Sequence, residues 1–166
     1  KRLFPNGRPP FSLMPPARAD EKQFTADELN AAIEGSDVAI ISLGRKSGEA
    51  ADRSESDFYL KEGEAQLIKA VSEAYHAKGK QVIVLLDICS PIDVASWQDK
   101  IDALVCTWQG GQESGFSVAD VLSGAVNPSG KLPMTFQIKY GDAYADKNFP
   151  ANVDDKTLGA MFMWGY

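Results

Sequence analysis

The sequence predicts a three-layer α/β/α sandwich with a mostly parallel sheet, and two observations support this fold class. Helical and strand-like segments alternate along the 166 residues in the order α, β, α, β, α, β, α, β. The predicted strand at 81–87 is apolar almost throughout, which is typical of a strand buried on both faces. Alternation of helices with such strands indicates a parallel sheet that carries helices on both sides.

The predicted helices have recognisable ends. Thr25 and Glu28 form a capping box at the start of the first helix, which ends at Gly35, a natural left-handed cap. Further helices are predicted at 62–78, 91–97 and 113–124 from apolar residues at helical spacing or from proline in the first turn.

Apolar runs between these helices predict four strands and a division of the chain into three parts. The strands are predicted at 37–43, 81–87, 101–108 and 132–136. Residues 1–23 are predicted to form an extended, proline-rich arm, residues 24–140 the α/β sandwich domain, and residues 141–166 a C-terminal tail.

Composition excludes several classes of protein. The chain has 17 Lys and Arg against 23 Asp and Glu, a net charge of −6, which argues against a nucleic-acid binder with a basic face. No apolar run approaches the roughly 18 residues that a bilayer-spanning helix needs, so no membrane partner is predicted. A neutral substrate such as a sugar remains compatible with this charge.

Cysteine and histidine usage predicts neither a metal nor a cofactor. Cys89 and Cys106 lie at strand-like positions, without the spacing of a disulfide framework or a metal site, and are interpreted as core thiols. His76 is the only histidine, so the chain offers no Ser-His-Asp set and no histidine-based metal site.

The longest predicted loop, residues 44–60, follows the first strand. Loops of this length inside compact domains are usually functional or disordered. In open parallel sheets, ligands bind at the carboxyl ends of the strands, where this loop lies together with loops 87–91 and 109–114.

Glu49 is the candidate catalytic acid in this loop. Its neighbours Gly48 and Ala50 are small and leave room for a ligand. A general acid needs a raised pKa, whereas nearby Arg45 and Arg53 would lower it. Spacing alone therefore favours a solvated loop acid that pairs with an arginine.

Other side chains at the same edge have structural alternatives. Asp87 ends the second strand and could cap the next turn, and Glu113 in a first helical turn suits the helix dipole. Trp97 and Trp108 could stack on a sugar, although both fit a core position better.

Five ordered motifs between about residues 25 and 137 resemble glycoside hydrolase family 3, the β-glucosidase type. They are the stretch from Ser36 to Arg53 with Gly44-Arg45-x-Ser47-Gly48-Glu49-x-x-Asp52-Arg53, then Asp57-Phe58-Tyr59-Leu60 with 67–71, Ser90–Val94, Trp108–Glu113 and Asn127–Phe136. A linked set of this kind is far more specific than any single motif.

The resemblance covers only the second, flavodoxin-like α/β domain of that family. It implies a (β/α)8 barrel domain of the same polypeptide, absent from this chain, that binds the sugar and carries an aspartate nucleophile. The family's first strand-helix unit is not found here, and the family usually continues past Gly165-Tyr166 toward a fibronectin-like domain. The resemblance therefore implies a piece truncated at both ends. Such a piece is expected to be inactive, or nearly so, on its own.

The resemblance also implies the site residues. Glu49 matches the general acid/base of the family's Ser-Gly-Glu motif. The flanking residues of the motif are expected to bind substrate: Arg45, Ser47, Gly48, Asp52 and Arg53. The chain departs from the family's usual residues at Ala50, Asp87 and Cys89.

The resulting interpretation is the C-terminal domain of a retaining β-glycosidase that acts on an oligosaccharide or β-glycoside. The departures leave open a second interpretation, a non-catalytic docking or carbohydrate-binding module with the same fold. A flavodoxin-like nucleotide-binding protein is a third, although no glycine-rich phosphate loop follows the first strand.

Overall fold

The structure, a computed structural model, describes residues 21–45 and 54–143. Its elements are α1 (Ala26–Gly35), β1 (Val38–Gly44), α2 (Glu55–Phe58), α3 (Glu62–His76), β2 (Gln81–Asp87), β3 (Ala103–Cys106) and α4 (Ser114–Leu122). Single 3-10 turns span Gln98–Lys100 and Gly111–Glu113. The predicted arm, except for its last three residues, and the tail beyond residue 143 lie outside the described residues.

The three strands form a parallel sheet in the order β1-β2-β3. Seven residues of β1 pair in register with β2, from Val38 opposite Gln81 to Gly44 opposite Asp87. The helices α2 and α3 connect β1 to β2, whereas the connection from β2 to β3 contains only the 3-10 turn Gln98–Lys100. The predicted α/β class with a parallel sheet is confirmed.

The core lies between the sheet and the face of α3. Alternate residues of β1 are buried, as are alternate residues of β2 opposite them, and α3 lays three side chains on this surface: Ile68, Val71 and Tyr75. α1 packs on α3 and contributes Ile33. The predicted capping box is present, with Thr25 Oγ1 accepting from the Glu28 N–H at 3.2 Å. Of the helices that the structure describes, none is long and apolar enough to cross a bilayer.

The prediction of a helix at 91–97 is wrong. Ile92, Asp93 and Val94 are all buried, whereas consecutive residues of a surface helix cannot all face the core. The Asp93 carboxylate accepts from the backbone N–H and the hydroxyl of Ser96, so a side chain-to-backbone turn replaces the first helical turn. Pro91 indicated a helix start, but this local hydrogen bonding prevailed.

The fourth strand predicted at 132–136 is also wrong, because the sheet within residues 21–45 and 54–143 has three strands. Pro133 lacks the N–H that a central strand residue would donate. Leu132 and Met134 on either side of it are exposed and do not face the core. The third strand, predicted at 101–108, is shorter and spans only Ala103–Cys106.

The Asp102 carboxylate connects the end of α3 to the sheet through hydrogen bonds. Asp102 Oδ2 accepts from the Val82 N–H at 2.7 Å and lies 2.9 Å from His76 Nε2. The Val82 hydrogen bond, followed by the one to His76, holds the pKa of Asp102 below its ordinary value of 3.8. The Asp102 carboxylate thus links α3, β2 and the start of β3.

We predict that Asp102 makes the fold sensitive to acid. Because its folded pKa is depressed below 3.8, the stabilisation is complete above about pH 5 and decreases as pH falls toward and through the folded pKa. Asp102→Asn is expected to remove this part of the pH dependence of thermal unfolding. The matched control is Asp99→Asn, an exposed acid in the preceding turn. Equal acid sensitivity of wild type and Asp102→Asn would contradict the prediction.

Candidate functional site

Backbone hydrogen bonds hold the carboxyl ends of the three strands at one edge. The Arg45 N–H, just after β1, donates to the Asp87 carbonyl at 2.9 Å. The Thr107 N–H, just after β3, donates to the Leu86 carbonyl at the same distance. The loops that follow the strands therefore leave from neighbouring points, where parallel sheets bind ligands.

Arg45 is buried at the start of the first of these loops. Its side chain is 3% exposed, and the guanidinium donates five hydrogen bonds. Three go to backbone carbonyls: Nε to Asp57 at 3.0 Å, Nη1 to Gly44 at 2.9 Å and Nη2 to Tyr59 at 3.2 Å. The other two go to the carboxylate of Glu64. A guanidinium has five N–H donors, so this set matches its whole capacity.

Glu64 is the buried partner of Arg45. Its side chain is fully buried, and its two oxygens accept from Nη1 at 2.6 Å and Nη2 at 2.7 Å. Oε2 also accepts from the Lys61 N–H at 2.8 Å, at the start of α3. Glu64 lies in the first turn of α3, where a carboxylate suits the helix dipole. The bidentate geometry makes this a strong, directional ion pair.

Arg45 joins the two ends of the long loop. The chain leaves β1 at Gly44, and the structure describes it again from Ser54, shortly before α2. The bonds from Arg45 to the carbonyls of Asp57 and Tyr59 connect the departing strand to the returning segment. We call this group of Arg45, Asp57, Tyr59 and Glu64 the loop neck.

Of the site residues predicted from the sequence, one belongs to the loop neck and the others follow it in the chain. Ser47, Gly48, Glu49, Asp52 and Arg53 lie outside the described residues. Among the six predicted site residues, the structure places Arg45 alone, and its five bonds favour a structural role. Contact between Arg45 and a substrate stays a prediction.

The returning segment is fixed to the second loop and to the core. Phe58 is 4% exposed, and its carbonyl accepts from the Asp93 N–H at 2.8 Å. Trp97 is 2% exposed and donates from Nε1 to the Asp93 carbonyl at 2.5 Å. Trp97 is therefore a core residue of this edge, which favours the structural alternative over the sugar platform.

The third loop carries a strained tryptophan. Trp108 has a φ of 51°, in the left-handed region that bulky residues rarely adopt, and its ring is half-buried against Phe136 at 6.0 Å. The side chains of Asp87 and Glu113 are exposed at the same edge. Asp87 pairs with Gly44 at the point where the long loop departs, whereas Trp108 and Glu113 follow β3, one strand further along the sheet.

The cysteines are free and half-buried, and burial raises the pKa of the Cys106 thiol. Across the part of the chain that the structure describes, no group of three or more His, Cys, Asp and Glu side chains is arranged to hold a metal ion.

Glu64 was not predicted as a site residue from the sequence. In the sequence, Arg45 is a neighbour of Glu49, whereas the structure pairs Arg45 with a carboxylate nineteen residues further on. The available signal was weak, because an acid in the first helical turn is ordinary. Only the spatial meeting of β1 and α3 makes Glu64 the acceptor for Arg45.

The fold defines a class: a parallel α/β domain in which Arg45 holds both ends of a long connection at the carboxyl edge of the sheet. The chain belongs to glycoside hydrolase family 3 as its C-terminal domain, since the profile of the "Glycosyl hydrolase family 3 C-terminal domain" matches residues 6–166. The predicted family is confirmed.

Curated relatives are named as glycosidases. The chain is 37% identical to β-glucosidase B of Emericella nidulans over 142 residues, covering 81% of this chain and 16% of that protein. It is 37% identical to thermostable β-glucosidase B of Acetivibrio thermocellus, covering 77% and 16%. A β-xylosidase of Formosa agariphila is 36% identical over 66% of this chain and 15% of its own.

Solved structures agree with this assignment. β-Glucosidase 3B of Thermotoga neapolitana in complex with glucose superimposes with a TM-score of 0.77 at 46% identity, over 83% of this chain and 19% of that chain. β-Glucosidase of Listeria innocua in complex with isofagomine gives 0.59 at 35% identity, over 70% and 16%. The chain thus spans less than a fifth of the length of these relatives.

Proposed function

We propose that the parent protein is a retaining β-glycosidase and that this chain supplies its general acid/base, Glu49. The observation that carries the proposal is the position of Glu49. It follows buried Arg45 by four residues, in the loop that leaves the carboxyl end of β1. Membership of a family whose named relatives are glycosidases supports the same role.

The chemistry needs two carboxyl groups. A carboxylate of the barrel domain attacks the anomeric carbon, and the Glu49 carboxyl protonates the departing glycosidic oxygen as its bond to that carbon breaks. The Glu49 carboxylate then takes a proton from water, whose oxygen displaces the enzyme ester at the same carbon and releases the sugar. The two carboxyl groups of retaining enzymes lie about 5–5.5 Å apart, so the long loop must reach the barrel.

The remaining residues of the motif lie on either side of Glu49 in the sequence. Ser47, Asp52 and Arg53 are proposed to hydrogen-bond the substrate, and Gly48 is proposed to let it approach the backbone. Arg45 is proposed to contribute from the base of the loop, where the structure holds it against Glu64.

The proposed substrate is a terminal β-glucoside. Most of the relatives reported above are named β-glucosidases, and one solved neighbour binds glucose. The β-xylosidase relative makes a β-xyloside the next substrate to compare. The barrel domain would choose between them, because it is proposed to hold the sugar.

Proton NMR of the full-length protein acting on an aryl β-glucoside tests the proposal. The β-anomer of the released sugar is expected first, followed by slow mutarotation, and this chain alone is expected to release none. Initial release of the α-anomer would contradict a retaining mechanism. Binding of the sugar without hydrolysis would instead support the carbohydrate-binding module.

A further inference from the structure

We propose that Arg45 and Glu64 form a positioning pair that sets where the Glu49 carboxyl lies relative to the departing glycosidic oxygen. The inference rests on the proposed role of Glu49. In this positioning role, both side chains act through the loop and not through contact with the substrate. The pair is a second requirement for the reaction, in addition to the acid itself.

The direction of the bonds is the first support. Arg45 emerges directly from β1, the strand with buried Ala39, Ile41 and Leu43, so its backbone is fixed by the sheet. Its side chain then holds the carbonyls of Asp57 and Tyr59 on the returning side of the loop. The neck therefore transmits the rigidity of the sheet to both ends of the segment that contains Glu49.

The choice of residues is the second support. Glu64 orients the guanidinium fork from α3 with two short bonds while accepting the Lys61 N–H. A buried ion pair is weak as a source of stability, because apolar residues of similar volume often stabilise as well. The planar guanidinium instead fixes positions, because it donates hydrogen bonds in set directions to three carbonyls and one carboxylate.

The short length of chain between Arg45 and Glu49 makes the position of the loop neck important for the acid. Glu49 follows Arg45 by four residues, and a chain of this length spans at most about 14 Å. A shift of the neck therefore displaces a point of the chain that lies only four residues before the acid in the sequence. Misplacing a catalytic group by about 1 Å can cost on the order of 100-fold in rate.

The test uses Arg45→Lys and Glu64→Gln in the full-length protein. Each is assayed on two aryl β-glucosides, one with a poor leaving group and one with an activated dinitrophenyl group. The value of kcat/KM reports bond cleavage, which needs the acid only when the leaving group is poor. We expect about 10- to 100-fold loss on the poor leaving group and under about threefold loss on the activated one. Azide is not expected to restore activity, because the Glu49 carboxylate is still present.

A matched control separates positioning from stability. Ile68→Val shortens a buried side chain of α3 four residues beyond Glu64. It is expected to lower thermal stability while leaving the ratio of the two kcat/KM values unchanged. If Arg45→Lys fails to fold, Glu64→Gln carries the same test, because an amide retains the volume and one acceptor.

The outcomes distinguish this inference from the proposed function. Equal losses on both substrates for Arg45→Lys or Glu64→Gln, together with a selective loss for Glu49→Ala, would overturn the positioning role alone. No selective loss for Glu49→Ala would overturn the acid/base role, and the positioning role with it. Selective losses in all three variants would support both.

Discussion

Replacing Glu49 with alanine in the full-length protein is expected to abolish most hydrolysis of β-glucosides with poor leaving groups. Without a carboxyl at this position, the departing oxygen leaves as an alkoxide or aryloxide and is not protonated. General acid/base catalysis typically contributes about 10²–10⁴-fold, and kcat/KM should fall by that order. Stopped or continuous assays over a series of aryl β-glucosides measure the loss at each leaving-group pKa.

The dependence of the kcat/KM loss on the leaving group is the feature that is specific to a general acid. An activated dinitrophenyl glucoside needs little protonation, so its kcat/KM should be nearly that of wild type, while kcat falls because water has lost its base. The matched control is Glu113→Ala, an exposed acid after the third strand of the same edge. Unchanged kinetics of Glu49→Ala across the series would remove Glu49 from the mechanism.

The largest stability effect is expected from Glu64→Ala. The substitution leaves the Arg45 guanidinium buried at 3% exposure without the carboxylate that it now contacts. Removing one partner of a buried ion pair typically lowers the free energy of unfolding by about 3–5 kcal/mol. Native-state hydrogen exchange of the full-length protein measures this locally, and the amides of β1 and the first turns of α3 should lose protection.

A double substitution provides the control. Arg45→Met with Glu64→Leu removes both charges and keeps apolar volume, so its loss should be far smaller than the sum of the two single losses. Additive losses would show that the two side chains are not coupled. The double variant should still show the selective kinetic defect, since the carbonyls of Asp57 and Tyr59 lose their common donor.

The elements with the strongest patterns were predictable from the sequence. The capping box of Thr25 and Glu28, the apolar run at 81–87 and the helical face of α3 each determine a local structure without tertiary information. The segments at 91–97 and 132–136 were not, because Asp93 makes a local turn and Pro133 interrupts pairing. Proline is compatible with both a helix start and a turn, so Pro91 alone could not decide.

The candidate site was predictable in part. Strand order placed the long loop at the carboxyl edge, and the backbone bond from Arg45 to Asp87 shows the strand ends together. The pairing of Arg45 with Glu64 required the packing of α3 on β1, which no sequence spacing specifies. The tertiary structure, and not the local sequence, decides which groups accept the hydrogen bonds of Arg45.

Azide rescue of Glu49→Ala is the sharpest test of the proposed acid/base role of Glu49. The glycosyl-enzyme formed from a dinitrophenyl β-glucoside should accumulate in this variant, and azide, which needs no general base, should attack its anomeric carbon in place of water. We expect faster turnover with azide and a β-glucosyl azide product identified by NMR. An α-glucosyl azide, or no azide product with activity already at the wild-type level, would contradict it.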